Sequence, residues 1–231
     1  MADYAKAFSP RMEEVPINGM YGNKKQKQIE WPTQRGKVII SSFNSPGDIE
    51  SLSFIEAYTK YAGYRSIVSK KQTLIQAASQ PDTNVTLAFT PDGIIVGFGI
   101  LEYPPSGERW KRLGDWIMME VSVIEIGRPW RSLGISKKII QLLVDHPLKD
   151  ERIFYMVGYS WTWDLAGMSA MDYRDMLVGI FSQQGFKTFR TNEANVMMRP
   201  ENLFMARIGA NIAEDTKKKF KLVRFDLDLC V

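Results

Sequence analysis

The chain of 231 residues is 45% hydrophobic and 24% charged, which suits one folded domain with additions and excludes a fibrous or wholly disordered class. Its formal charge of +4 suits an anionic ligand, and the single cysteine, Cys230, and single histidine, His146, exclude an internal disulfide framework and a structural zinc cluster. No metal site is expected, no apolar run reaches the length that spans a bilayer, and Met1 to Val15 has no signal-peptide centre, so a cytoplasmic location without membrane contact is expected.

Residues 1–35 are polar, carry Lys24, Lys25 and Lys27, and read as a basic arm ahead of a domain spanning 36–231. Val38 to Phe43 reads as a strand and Pro46 to Tyr61 as a helix, with Ser45 as N-cap. A helix is expected over Lys70 to Ala78. Val85 to Phe89 and Ile94 to Glu102 make an antiparallel hairpin around the Pro91-Asp92-Gly93 turn. Trp116 to Ile126 reads as a long strand, Arg131 to Val144 as a helix buried on a sheet, and Ile153 to Val157 as a further strand. Asp172 to Gln184 is helical and Gly185 opens a strand to about Thr191. Pro200 to about Lys221 reads as a helical insertion, and Leu222 to Leu229, where Arg224, Asp226 and Asp228 alternate with apolar residues, as a last strand. The order implies an α/β (α+β) domain with a mixed, mostly antiparallel sheet flanked by helices.

The junction Arg128 to Ser136 leads from a strand through a glycine-containing loop into a helix. It gathers free backbone amides and a helix N-terminus at one point, an anion site to which Arg128 and Arg131 can add charge. Neither a Walker-type run nor Gly-x-Gly-x-x-Gly is present, which argues against ATP and NAD. The loop resembles the Gln/Arg-x-x-Gly-x-Gly/Ala signature of the GNAT acetyltransferases at Arg131, Gly134 and Ser136, with serine as the last small residue. From about Gly36 to Asp228 the chain resembles more closely the acetoin-utilization acetyltransferases (AcuA-like). The segments that carry this are Glu108-Arg-Trp110, Glu120 to Ile126, Tyr159 to Met168, Tyr173-Arg174 and Asn202 to Gly209.

The resemblance implies a GNAT fold and transfer of acetyl from acetyl-CoA to a protein lysine, with AMP-forming acetyl-CoA synthetase as the acceptor. A small amine as acceptor, or a silent acetyl-CoA sensor, remain as alternatives, and the oligomeric state is open. The run Lys217 to Lys221 comes without a nucleic-acid motif, so no nucleic-acid partner is expected.

Acetylating a lysine requires removal of an ammonium proton, and a carboxylate is the simplest base. Glu120, eleven residues before Arg131, resembles the catalytic glutamate of histone-acetylating GNAT enzymes; Glu125 is its rival and Glu102 a weaker third. On a regular strand Glu120 and Glu125 face opposite ways unless a bulge intervenes. Phe181 stands where many GNAT enzymes carry a tyrosine that protonates the departing CoA thiolate, so that proton comes from Tyr159, Tyr173 or water, or is not needed, since a CoA thiolate is a tolerable leaving group. Cofactor contacts are expected from the backbone of Ser122, Val123, Ile124 and Ile126 and from Arg131, Ser132, Leu133, Gly134, Ile135 and Ser136. Trp161, Trp163 and Asp164 are candidates for a target-binding wall.

Overall fold

The computed structural model describes residues 26–56, 58 and 71–229. The first 25 residues, and the part of the expected first helix at 57 and 59–61, lie outside the described residues. The chain opens with strand β1 (Gln28–Thr33), which pairs antiparallel with β2 (Gly36–Ser41) across a two-residue turn. Residues 28–33 therefore belong to the sheet and not to an arm. Their alternation of half-buried Ile29 and Trp31 with exposed neighbours is that of an edge strand, which tolerates Pro32.

Helix α1 (Pro46–Glu50) starts as the sequence predicts, with Ser45 and Asp48 forming a reciprocal capping box. It is one turn long. Ser53–Phe54 (β3) then pairs parallel with the start of β5, so the expected continuous helix is interrupted. Helix α2 (Lys71–Ala78) precedes the hairpin of β4 (Asn84–Phe89) and β5 (Ile94–Glu102), closed by Gly93 at φ +84°. β6 (Met118–Ile126) leads into α3 (Ile135–Val144), and β7 (Ile153–Gly158) into α4 (Ala170–Ser182), capped by Ser169. The short β8 (Lys187–Thr188), α5 (Ala194–Met197), β9 (Leu203–Ile208) and α6 (Glu214–Arg224) follow.

The strands form one mixed sheet in the order β1-β2-β4-β5-β6-β7-β9-β8, antiparallel along this path except at β6 and β7. The C-terminal order departs from expectation. Leu203–Ile208, read as part of a helical insertion, is a strand held between β7 and β8, buried over its first four residues and so without alternation. Residues 222–229, read as the last strand, finish α6 and then turn, with Phe220 and Val223 buried at a helical spacing of three.

Helix α3 lies against the sheet where β5 carries Gly97 and Gly99. A Cβ on Gly99 would stand 2.9 Å from Ile139 Cγ2, so the glycine sets how closely the helix approaches. Ile139, Ile140 and Leu143 are fully or almost fully buried there, each contributing about 1.5–3 kcal/mol by its removal from water. Among the described residues no helix is long and apolar enough to cross a membrane.

Candidate active site

β6 and β7 pair over three positions only, from Met118 opposite Ile153 to Glu120 opposite Tyr155. Beyond them β6 continues to Ile126 and β7 to Gly158 without pairing, and the strands splay. The wedge between them is a cavity lined on β6 by Val121 to Glu125 and on β7 by Met156 to Gly158, with Phe98 of β5 and Phe181 of α4 also in its lining. Strand edges that splay inside a sheet leave backbone donors and acceptors without a partner strand, a natural seat for an extended amide-bearing ligand. Ser122, Val123 and Ile124 lie on this edge, whereas the Ile126 carbonyl accepts from Arg131 Nε at 3.0 Å.

Glu120 sits at the vertex of the splay. Its register with β5 shows the bulge that brings Glu120 and Glu125 to one face. Glu102 pairs with Glu120, Leu101 with Val121, Ile100 with Val123 and Phe98 with Glu125, so Ser122 has no counterpart and forms a bulge. Cross-strand partners share a face, and Glu102 and Phe98 are four residues apart. Glu102, Glu120 and Glu125 therefore all point to the face opposite α3. Ser122 Oγ donates to Glu102 Oε1 at 2.5 Å and pins the bulge.

The three carboxyls differ in their surroundings. Burial, with the charges of Glu102 and Glu108 adding, pushes Glu120 up to about 8 against the opposing hydrogen bond from the Tyr155 hydroxyl at 3.1 Å. Burial also raises Glu102, and the hydrogen bond from Ser122 opposes it. Burial raises Glu125, but Arg131 lies 3.1 Å from its Oε1, which also accepts the Ile126 amide. Glu125 is committed to holding the chain; Glu120 has a hydroxyl as its hydrogen-bonding neighbour.

The two tyrosines separate as well. Tyr173, on α4, lines the cavity, stacks on Trp163 with centroids 5.0 Å apart, and is pushed up to about 12 by burial, with the charge of Glu125 adding. Tyr159 stacks on Trp161 outside the cavity lining. The proposed wall is thus divided: Trp163 and Asp164 line the cavity, and Trp161 is 40% exposed outside it.

Asp164 binds both arginines of the glycine loop. Arg128 donates to it through Nε at 2.7 Å and a terminal nitrogen at 2.5 Å, and an Arg131 terminal nitrogen lies 2.9 Å from its Oδ2. Arg131 also donates to the Asp164 carbonyl at 2.9 Å. Their positive charge is therefore spent on Asp164 and Glu125, which corrects the expectation that both guanidinia add charge at the anion site. Arg128 foremost holds the Asp164 carboxyl below its usual range. Asp164→Ala is expected to cost about 1.5–3 kcal/mol of stability, as charged hydrogen bonds do, and to raise the KM for the ligand of the loop; thermal unfolding and steady-state kinetics check both.

The loop itself is shaped by left-handed residues at Ser132 (φ +63°) and Gly134 (φ +77°), and Gly134 caps α3. Among the described residues no carbonyl accepts from the amides of Ser132, Leu133, Gly134, Ile135 or Ser136. Five such amides beside a helix N-terminus are an arrangement suited to an anion. A Cβ on Gly134 would stand 3.3 Å from Trp31 Cζ2, and Trp31 Nε1 donates to the Leu133 carbonyl at 2.8 Å. Trp31, in the region read as an arm, thus braces the glycine loop, a contact the sequence reading missed; its signal was the alternation with Ile29. Trp31→Phe removes that donor and is expected to weaken anion binding about fivefold, near the 1 kcal/mol of one hydrogen bond, with folding retained; isothermal titration checks it.

The chain is 27% identical over 198 residues to the acetoin utilization protein AcuA of Bacillus licheniformis, covering 85% of this chain and 92% of that one. It is 27% identical over 196 residues to AcuA of Bacillus subtilis, covering 84% and 91%. The crystal structure of an acetoin utilization protein from Exiguobacterium sibiricum matches with a TM-score of 0.82 at 23% identity, over 90% of this chain and 97% of that one. No protein-family model matches the chain. These findings bear out the resemblance to the acetoin utilization proteins (AcuA-like), one of which shares the fold of this chain.

Proposed function

We propose that this AcuA-like acetyltransferase moves the acetyl group of acetyl-CoA onto the side-chain amine of a lysine in another protein, AMP-forming acetyl-CoA synthetase. The observation that carries the reading is that β6 links three features in sequence: a carboxyl poised near 8 where the splay begins, an open strand edge beyond it, and an anion cradle past the far end of the strand. The amides of Ser132 to Ser136 hold the pyrophosphate, and the open edge of β6 at Ser122 to Ile124 holds the pantetheine arm. Acetyl-CoA supplies an activated thioester carbonyl.

Glu120 takes the proton from the incoming ammonium, whose pKa is near 10.4 in free lysine, so that a neutral amine attacks. Its elevated pKa makes it a stronger base than an ordinary carboxylate while leaving it ionised above about 8. Tyr173 remains protonated across the physiological range and is the donor to the departing thiolate, from the same helix as the hydroxyl-less Phe181. The buried surroundings of the cavity strengthen these interactions by keeping water away.

Competing acceptors test the class of substrate. With the synthetase and spermidine both present, the synthetase gains acetyl first. Faster acetylation of spermidine would favour the small-amine alternative.

A further inference from the structure

Beyond the vertex, the surface carries an apolar ledge that the reaction chemistry does not use. Met197 and Met198, at the end of α5, are 68% and 69% exposed, and Trp161 is 40% exposed. These are large apolar side chains to leave in water, and methionine suits surfaces that adapt to a partner. The ledge is held firmly. The Ser160 amide donates to Asn202 Oδ1 at 2.7 Å, and Asn202 Nδ2 donates to the Asn195 carbonyl at 2.6 Å, which ties the Trp161 turn to α5. Tyr159 stacks on Trp161 at 5.0 Å with planes 7° apart, and Arg199 lies 5.7 Å from the Trp161 ring. A rigid aromatic anchor loses little freedom when a partner covers it.

Carboxylates run from this ledge toward the vertex. Glu193 caps α5, accepting from the Val196 amide at 2.6 Å. Its charge acts on Glu108, where the adjacent Arg109 opposes it, and Glu108 in turn acts on Glu120. On a chain of formal charge +4, the carboxyls of Glu102, Glu108 and Glu120 stand close enough to act on one another, and they complement a cationic side chain that has to reach the base.

We propose that the ledge of Trp161, Met197 and Met198, with Glu193 and Glu108 beside it, docks the lysine-bearing segment of the acceptor protein. The apolar groups take an apolar side chain adjacent to the lysine, and the carboxylates lead the ammonium to Glu120. This rests on the reading of the chain as a protein lysine acetyltransferase, and it adds where the protein is gripped and which sequence is preferred.

The double variant Met197→Asp/Met198→Asp tests it, since both positions are exposed enough to accept aspartate without disturbing the fold. With AMP-forming acetyl-CoA synthetase as acceptor, kcat/KM is expected to fall about 30-fold or more, mostly through KM. Binding of acetyl-CoA and acetylation of free lysine amide change by less than twofold. A fall of less than twofold with the synthetase, or an equal fall with lysine amide, overturns the docking surface. Wild-type protein is also offered a peptide library with a central lysine. Enrichment of an apolar residue beside the lysine, with depletion of acidic ones, supports the surface. Acetylation without such preference overturns it while leaving acetyl transfer intact, and acetyl-CoA binding with neither synthetase nor peptides acetylated overturns the protein-acceptor reading and the surface together.

Discussion

Glu120→Gln lowers the rate of acetyl transfer by about 10²–10⁴-fold, the range expected for loss of a general base, while binding of acetyl-CoA stays within about twofold. The split follows from position: Glu120 stands at the vertex of β6 and β7, away from the amides of Ser132 to Ser136. The pH dependence identifies the group. A base works in its ionised form, so the wild-type rate rises with pH through a midpoint near 8, and the glutamine variant loses that limb. Stability moves the other way. Because the folded-state pKa lies above the ordinary 4.5, the folded chain keeps a proton that the unfolded chain releases, and stability falls as pH rises from about 4.5 to about 8. Glutamine carries no such penalty, so the inactive variant melts at a higher temperature than wild type above pH 8. An equal loss of rate with unchanged pH profile, or a lower melting temperature there, would assign Glu120 a structural role.

Gly134→Asp raises the Kd for acetyl-CoA by about 30–1000-fold. Two effects combine. A side chain at φ +77° costs about 1–2 kcal/mol and meets Trp31 at 3.3 Å, and a carboxylate at the helix N-terminus adds about 1–2 kcal/mol of repulsion against the pyrophosphate. Gly134→Ala carries only the first effect and is expected to fall between wild type and the aspartate variant. Equal affinities for all three would remove the loop from the binding site.

Much of this was legible from local sequence. Ser45 and Pro46 announce the first turn of α1, Pro91-Asp92-Gly93 the β4–β5 hairpin, and Arg131, Gly134 and Ser136 the cradle before α3. Glu120 and Glu125 were both visible as candidates, but their common face was not. Register belongs to two strands, and the bulge at Ser122 exists only relative to Ile100 and Leu101. Contacts between distant segments were equally hidden. Trp31 reaches Leu133 across 102 residues, and Asp164 draws Arg128 from 36 residues away. Periodicity failed at the C-terminal end for opposite reasons. Leu203–Ile208 pairs on both sides and shows no alternation, whereas the alternating charges Arg224, Asp226 and Asp228 fall where α6 ends, with Asp226 at φ +52° in the turn that stops it.

The measurement that tests the central claim most directly is the intact mass and peptide map of AMP-forming acetyl-CoA synthetase after incubation with this protein and acetyl-CoA, read beside the free CoA released. The account predicts one CoA released for each acetyl group gained, the acetyl group on a lysine Nζ, and neither with Glu120→Gln. Release of CoA without a mass gain on the synthetase, or the same gain with Glu120→Gln, would contradict it.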